Sequence, residues 1–332
     1  MPQPVAAANS FTAGLLSEFL ATYERKYKGL SDRLAKNMAM GLAGHDRRTQ
    51  TYFYWEAVPH FRRWILGQDM PESSFGGVQF EVTVREWAQS ISWRFTDRQD
   101  DQTSSLVQHS RGLASSFALQ DERVFFQILT AATDAALLPS IPTAPDGANL
   151  FATTAGGADR FGISGGNIRT GSGVATSGAL LTDFYASRAR ARQFQDGQGQ
   201  PLLDDDVLDG PMTIYYGAAN EQVFREAFLQ QLRPLAASTA TSNAGISNVV
   251  LDSGHQLRLV STQRITDNDW FIFMDNVDIK PIFSVERQPV QEVVETFENS
   301  DNVRRSGIES IRFWNRRAYG VALPYAAIQV NN

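Results

Sequence analysis

The chain has 332 residues, of which 42% are hydrophobic and 20% charged, values typical of globular proteins. It contains no cysteine, so a disulfide scaffold, a cysteine-ligated zinc site and a thiol nucleophile are excluded. With 30 Lys and Arg against 36 Asp and Glu, the net charge of −6 disfavours a protein that coats nucleic acid. No stretch approaches the roughly 18 apolar residues that a membrane span needs, so we predict a soluble cytoplasmic chain.

The first part of the chain predicts helices followed by long strands. Apolar residues at three- and four-residue spacing predict an amphipathic helix over 10–28, and a second short helix is expected over 31–40. An aromatic run at 52–58 is strand-like, and apolar residues alternate with polar ones over 78–84 and 91–95. Because a two-stranded ribbon is marginal in water, these strands need a surface to lie on, and a neighbouring subunit is one candidate.

The segment 103–138 is predicted to form one long straight helix. It contains no proline, and only Gly112 interrupts good helix formers. Its apolar residues recur every eleven positions, which keeps them on one helix face. Asp100 suits the start of the helix, and Pro139 is expected to end it.

The second half of the chain mixes short helices with strands. Residues 140–178 are rich in small residues and proline and are expected to be irregular. Helices are predicted at 178–194 and around 223–232, with an acidic loop between them. The predicted strands lie at 212–216, 256–262, 269–274, 281–287, 290–297 and within 308–330. This order indicates an α+β architecture and not a βαβ series.

Candidate catalytic and metal-binding residues form no recognisable site. The acidic run Asp204, Asp205 and Asp206 lacks the spacing of an EF-hand, so a solvated turn is favoured over a calcium site. A metal-dependent hydrolase centred on this run and His255 is the enzyme alternative. The glycine-rich run 162–173 lacks a P-loop lysine, so a mobile loop is favoured over phosphate binding. We predict no catalytic residue, no cofactor and no metal ion.

An extended arm, a long ribbon and a rod-like helix suit a subunit that wraps its neighbours, because each buries too little of itself in a monomer. The aromatic and arginine residues of 52–64 could stack on bases, but the negative charge favours packing between subunits. Replacing two tryptophans of the candidate interface, at 87 and 93, by alanine is expected to impair assembly more than folding. The candidate interface residues are Arg62, Arg63, Trp64, Phe80, Arg85, Trp87, Trp93 and Arg94.

A family resemblance is carried by eight segments in order: 77–87, 97–101, 145–151, 194–202, 215–223, 268–273, 280–282 and 312–322. On these segments the chain resembles the major capsid proteins of tailed phages with the Hong Kong 97-type fold. It is most similar to the Mu-like phage major head subunit family. The resemblance is one of pattern and order over nearly the whole chain.

The resemblance implies an α+β capsid fold with five parts, which are an N-terminal arm (1–48), an extended β-loop (49–101), a peripheral domain with a spine helix (102–142), an axial domain (143–274) and C-terminal strands of the peripheral domain (275–332). It implies a structural, non-enzymatic major head protein of a tailed double-stranded DNA phage or prophage. Such subunits self-assemble through hexamers and pentamers into an icosahedral shell around the genome. The alternative is an encapsulin-like or gene-transfer-agent shell protein of the same fold.

The partners implied are copies of the chain itself, a portal, a cement protein and a scaffolding protein. The scaffold is expected to be a separate protein, because only a short arm precedes the first predicted strands. The shell would belong to the virion, assemble in the host bacterial cytoplasm and enclose DNA without sequence-specific contacts or a membrane. The lysine–asparagine cross-link of the Hong Kong 97 phage is excluded for the extended loop, because residues 49–101 contain no lysine.

Overall fold

The computed structural model describes residues 14, 17–25, 34–43, 47–57, 76–100, 105–230, 232–234, 245–247, 256–297 and 299–332. A four-stranded and a five-stranded sheet organise these residues, with helices packed on both, as the α+β prediction expects. Within this part of the chain, no helix has the length and apolar character needed to cross a bilayer.

The elements are numbered in chain order. The strands are β1 (Ala39–Ala43), β2 (Thr49–Ala57), β3 (Gly76–Thr83), β4 (Arg85–Arg94), β5 (Thr154–Ala155), β6 (Ala158–Asp159), β7 (Ile168–Thr170), β8 (Met212–Gly217), β9 (Leu232–Pro234), β10 (Gly245–Ser247), β11 (Leu257–Thr262), β12 (Trp270–Met274), β13 (Ile282–Glu295), β14 (Ile308–Val321) and β15 (Ala327–Asn331). The helices are α1 (17–25), α2 (Phe95–Asp100), α3 (Ser105–Ala118), α4 (Gln120–Leu129), α5 (Ser177–Ala191), α6 (Asp205–Leu208), α7 (Glu221–Phe228) and α8 (Asp301–Ser306).

The four-stranded sheet has the order β1-β13-β14-β4, and its long central pair is antiparallel. Two strands were predicted at 281–287 and 290–297, but they form the single strand β13. Its register shifts between Glu286 and Gln291, and Pro289 lies inside this irregularity. A bulge leaves residues without ladder hydrogen bonds, so a proline is tolerated there without ending the strand.

The strands β2 and β3 form a two-stranded ribbon, as the alternating pattern predicts. Their register runs from Thr49 opposite Thr83 to Ala57 opposite Gly76. The base of the ribbon is anchored, because Val82 and Val84 are buried against β13 and β14. Among the described residues the ribbon pairs with no third strand.

The five-stranded sheet has the order β11-β8-β12-β15-β7. Every residue of β8 and β12 is buried, because α5 and α7 cover one face and α4 packs on the other side. Tyr216 stacks on Phe224 of α7, with ring centroids 4.1 Å apart. The last strand, β15, lies in this sheet, so the C-terminal segment 275–332 is divided between the two sheets.

The predicted single helix over 103–138 is wrong. The helix is interrupted at Leu119 and ends at Leu129. The carboxylate of Asp134 accepts a hydrogen bond from the backbone N–H of Ala136 at 2.8 Å, and such local bonds compete with helix formation. The resulting turn returns Leu138, only 4% exposed, to the core between α4 and the sheets.

Three smaller predictions also need correction. The expected helix over 31–40 is a single 3₁₀ turn, Leu34–Asn37, followed by β1. The acidic loop contains the one-turn helix α6. The glycine-rich run is not a loop throughout, because β7 pairs with β15 inside it. The helix predicted over 10–28 is confirmed for residues 17–25.

A buried arginine connects the elements of the four-stranded sheet. Arg317 of β14 donates to Asp121 of α4 at 2.8 Å and to the hydroxyl of Tyr23 at 3.2 Å, and it also pairs with Glu286. The hydroxyl of Tyr319 donates to the same carboxylate of Asp121 at 2.8 Å. Arg317 and Asp121 are both almost fully buried, so Asp121 is the buried counter-charge of the guanidinium, while Glu286 is partly exposed.

We expect Asp121→Ala to lower the free energy of unfolding by about 3 kcal/mol, because it removes the buried one of the two carboxylates that pair with Arg317 and the acceptor of the Tyr319 hydroxyl. Denaturant unfolding of the unassembled subunit measures this loss. Glu221→Ala is the control, because it removes an exposed ion pair with Arg225 that is worth about 0.5 kcal/mol or less. Equal losses in the two variants would contradict a stabilising role for the buried pair.

A second polar junction lies where the chain passes from the five-stranded to the four-stranded sheet. Asp275 directly follows β12, and its carboxylate accepts hydrogen bonds from the Thr213 hydroxyl at 2.8 Å and the Asn37 amide at 3.1 Å. It therefore connects the 3₁₀ turn before β1 to one end of β8 and β12 in the middle of the five-stranded sheet.

Burial raises the pKa of Asp275 from about 3.8 to about 6, against the opposing effects of the Thr213 hydroxyl and of nearby Lys280, Arg258 and Lys36. The folded chain thus binds this proton more tightly than the unfolded chain, so we expect the contribution of Asp275 to stability to fall as pH rises from about 4 to about 6.

Unfolding of the wild type and of Asp275→Asn should be compared across this pH range. The wild type should lose about 1–2 kcal/mol relative to the variant as pH rises, a figure reduced for the partial exposure of the carboxyl. A difference between the two chains that does not change with pH would contradict the assignment.

Candidate subunit interface

The predicted interface residues fall into two groups. Arg62, Arg63 and Trp64 lie outside the described residues, and Phe80 is described by its backbone alone, in β3 opposite Tyr52. The other four, Arg85, Trp87, Trp93 and Arg94, lie on β4. The surroundings of the predicted interface side chains can therefore be described only for these four residues on β4.

The two arginines mark the ends of β4 and are exposed. Arg85 donates to the Ser140 hydroxyl at 3.1 Å, and the backbone N–H of Arg94 donates to Asp97 at 3.2 Å, where α2 begins. Both guanidinium groups remain open to solvent. They are available to the carboxylates of another chain.

Trp93 is packed inside its own chain. It is 6% exposed, and its indole N–H donates to the buried carboxylate of Glu309 at 2.9 Å. It belongs to an aromatic cluster with Phe19, Phe117 and Phe313. The structure therefore gives this tryptophan an internal role and leaves little of its surface for a neighbour.

Trp87 is intermediate between the exposed arginines and the buried Trp93. Its side chain is half-buried, and its ring meets the Tyr319 ring edge-on with centroids 5.8 Å apart. Its indole N–H donates to the Arg317 carbonyl at 3.4 Å. One side of the ring packs on the core, and the other side faces an open cavity of about 520 Å³.

A larger groove, which sequence reasoning missed, runs between β4 and α3. This β4–α3 groove has a volume of about 1080 Å³ and includes half-buried Ile91, Leu106 and Leu113. Gly112 also lines it, and a Cβ at this position would meet no atom within 4 Å. Asp97 and Asp100 lie at its edge. The seven-residue spacing of the two leucines beside a glycine was the available signal, but both leucines were interpreted as part of the eleven-residue apolar repeat of one long helix.

The acidic run has a structural explanation. Asp205 and Asp206 begin α6, where carboxylates favour the helix dipole, and Asp209 accepts hydrogen bonds from Arg188 at 2.6 Å and Arg192 at 3.0 Å. In the part of the chain that the structure covers, no three His, Asp or Glu side chains are grouped to hold a metal ion. His255, the other member of the hydrolase hypothesis, lies outside the described residues.

The fold is that of phage capsid proteins of the Hong Kong 97 type. The capsid protein of Myoviridae phage XM1 matches with a TM-score of 0.53 and 11% identity, over 91% of each chain. The mature capsid of bacteriophage PhiM1 matches with a TM-score of 0.53 and 12% identity, over 89% of this chain and 86% of that one. The capsid of an empty GTA particle matches with a TM-score of 0.55 and 9% identity, over 89% and 88%.

Family membership follows from the sequence itself. Residues 77–330 match the phage capsid protein family, and the chain belongs to that family. Comparison with curated protein sequences gave no match. The chain is therefore a structural, non-enzymatic phage capsid protein.

We expect Trp93→Ala to lower the stability of the unassembled subunit by about 3–5 kcal/mol, because it opens a cavity and removes one hydrogen-bond donor to buried Glu309. Denaturant unfolding measures this loss, with the exposed neighbour Ser92→Ala as a control that should change stability by about 0.5 kcal/mol or less. If the Trp93→Ala subunit kept its stability but did not assemble, the result would contradict this prediction and support Trp93 as an interface residue.

Proposed function

We propose that this capsid protein is the major head subunit of a Mu-like tailed phage or prophage. Its subunits would form hexamers and pentamers, and these would close into an icosahedral shell around double-stranded DNA. The family match and the capsid fold support the shell, and the segments 77–87, 215–223 and 312–322 support the Mu-like assignment.

We further propose how the parts of the subunit serve the shell. The four-stranded sheet with α1 and α3 is the peripheral domain, and the five-stranded sheet, including β15, is the axial domain. The ribbon is the extended loop that lies over an adjacent subunit, and the N-terminal arm, proposed over 1–48, contributes α1 and β1 to the peripheral domain. This division follows the sheets. Relative to the sequence-based prediction, it moves β4 from the extended loop to the peripheral domain and the last strand from the peripheral to the axial domain.

The isolation of the ribbon is the observation that carries the proposal. Two strands of nine and eight residues pair only with each other in the described chain, and their described side chains Tyr52 and Val82 pack on the subunit at the base. A ribbon of two strands is marginal in water on its own. A neighbouring subunit supplies the surface that a single subunit lacks, and this favours assembly over a free monomer.

The charge of the chain suits a container for DNA. With a net charge of −6, the subunit is not expected to bind the DNA phosphates tightly. Tight binding would make the release of DNA depend on salt concentration. The interface residues proposed on β4 are the exposed Arg85 and Arg94, with Trp87 as a partly buried contact. A scaffolding protein, a portal and a cement protein are proposed as partners, with assembly in the host cytoplasm.

The test is negative-stain electron microscopy of the purified chain combined with size-exclusion chromatography. We expect shells, tubes, hexamers or pentamers, because a neighbouring subunit supplies a surface for the ribbon, which pairs with no third strand among the described residues. A chain that stays monomeric at every concentration, alone and with lysate of phage-producing cells, would overturn the proposed function. Shells that hold protein cargo and no DNA would favour the encapsulin-like alternative.

A further inference from the structure

The polar junction of Asp275, Thr213 and Asn37 contains a carboxyl group that uses only one of its two oxygens. Oδ2 of Asp275 accepts from the Thr213 hydroxyl at 2.8 Å and from the Asn37 amide at 3.1 Å. Oδ1 is buried and meets no hydrogen-bond donor among the described residues. A buried carboxylate oxygen without a donor is costly, and protonation of the group removes the cost of its charge. These contacts therefore suit the neutral acid better than the anion.

An arginine with an unused donor lies on the same face of the five-stranded sheet. Arg258 of β11 is opposite Thr213 of β8, which is opposite Phe273 of β12. Asp275 follows Phe273 by two residues, and its N–H extends the ladder by donating to the Pro211 carbonyl at 2.9 Å. Side chains at these positions point to one face. The buried Nη1 of Arg258 donates to no described residue, so opposite charges with one unused atom each share this face.

We infer that the side chain of Asp275 is a switch between the two sheets, which changes its partner when the carboxyl group ionises. As the neutral acid it accepts from Thr213 and Asn37 and holds the end of the 3₁₀ turn against the five-stranded sheet. As the carboxylate it turns toward Arg258, and Asn37 is released. The switch belongs to the single subunit, so it does not depend on how subunits assemble.

The backbone of Asp275 stays in place during this change. The ammonium group of Lys280 donates to the Asp275 carbonyl oxygen at 2.7 Å, and the Asp275 N–H is held by the Pro211 carbonyl. With both backbone groups occupied, the motion left to Asp275 is rotation about its side-chain bonds between staggered rotamers. The carboxyl group can then change partner without disturbing β12.

Release of Asn37 frees only one end of the 3₁₀ turn. At the other end, the Tyr215 hydroxyl donates to the Leu34 carbonyl at 2.8 Å, and the Leu34 N–H donates to Glu122 of α4 at 2.8 Å. Neither bond involves Asp275, so both persist when the switch changes state. The turn then pivots about Leu34, and β1, which begins two residues after Asn37, moves with its free end. A proton on one carboxyl group thus acts on the edge strand of the four-stranded sheet.

The charged and titratable groups that act on Asp275 come from four elements. They are Lys36 of the 3₁₀ turn, Tyr215 of β8, Arg258 of β11 and Lys280 before β13. The three cations lower the pKa of Asp275, but burial outweighs them and brings it to about 6. Burial also raises the pKa of Tyr215 far above its usual range, so its hydroxyl stays neutral. Asp275 therefore passes from mostly neutral at about pH 5 to mostly ionised at about pH 7.5.

Hydrogen exchange of the full-length, unassembled subunit tests the switch. We expect the protection of the N–H groups of 34–43, corrected for the intrinsic pH dependence of exchange, to fall about tenfold between about pH 5 and about pH 7.5 relative to that of α5. The helix α5 packs on the other face of the five-stranded sheet and reports any global loss of stability. A ratio that does not change with pH in the wild type would overturn the switch.

Substitutions separate a change of partner from a simple loss of stability. Asp275→Asn cannot ionise, so the ratio of protection should stay within about twofold across this pH range. Arg258→Met removes the alternative partner but keeps an apolar stem, so the ratio should again stay within about twofold. Arg225→Met is the matched control on α7, where the lost arginine is exposed and pairs with Glu221, and it should keep the wild-type change.

The Arg258 variant decides between the two explanations. If the buried charge of Asp275 only weakened the junction, the loss of Arg258 would leave the pH dependence of 34–43 as large as in the wild type or larger, and this result would overturn the switch. Arg258→Gln, which also removes the charge, repeats the test if Arg258→Met does not fold. Loss of the pH dependence in the Asp275 and Arg258 variants, with retention in Arg225→Met, would establish the switch. Its failure would leave the proposed function intact, because every measurement is made on the unassembled subunit.

Discussion

The four-stranded sheet depends on one buried guanidinium. Arg317 lies at the point where α1, α4, β13 and β14 meet, and its donors are used by groups on each of the other three elements. A buried charge is costly unless its partners are held in place, so the pairing restricts the relative positions of these elements more than apolar packing would. The long strands β13 and β14 can then extend beyond the core with their register fixed at one end.

The same constraint explains how the subunit presents incomplete surfaces without losing its own stability. The inner half of the four-stranded sheet is closed by α4 and the junction with the five-stranded sheet. The outer half is covered by α1 and α3 on one face, while the edge of β4 and the ribbon remain unpaired among the described strands. The buried polar network thus lies in the inner half of the sheet, and the edge of β4 and the ribbon lie outside it.

Much of this arrangement follows from the sequence, and the failures have physical causes. Period-two alternation correctly identified β3 and β4, and helical spacing identified α5, whose apolar face is buried in its own chain. The same signal cannot say which chain covers a face, so Trp93 was interpreted as an interface residue although Phe313 and Glu309 enclose it. The prediction of one long helix over 103–138 was wrong because the side chain of Asp134 stabilises a turn. Periodicity contains no information about such side-chain hydrogen bonds, which compete with the helix.

The one-residue link between β3 and β4 has a mechanical consequence. Any tension applied to the ribbon is transmitted through Val84 along the axis of β4. The β4–β14 hydrogen bonds run across the strands, so ten residue pairs from Arg85–Arg317 to Arg94–Ile308 resist this pull in shear and share it. The force then passes through β14 to the Arg317–Asp121 pair and into α4. A shell built from such subunits would carry internal pressure as tension through its folded cores, and its resistance to rupture would be set by sheet shear strength.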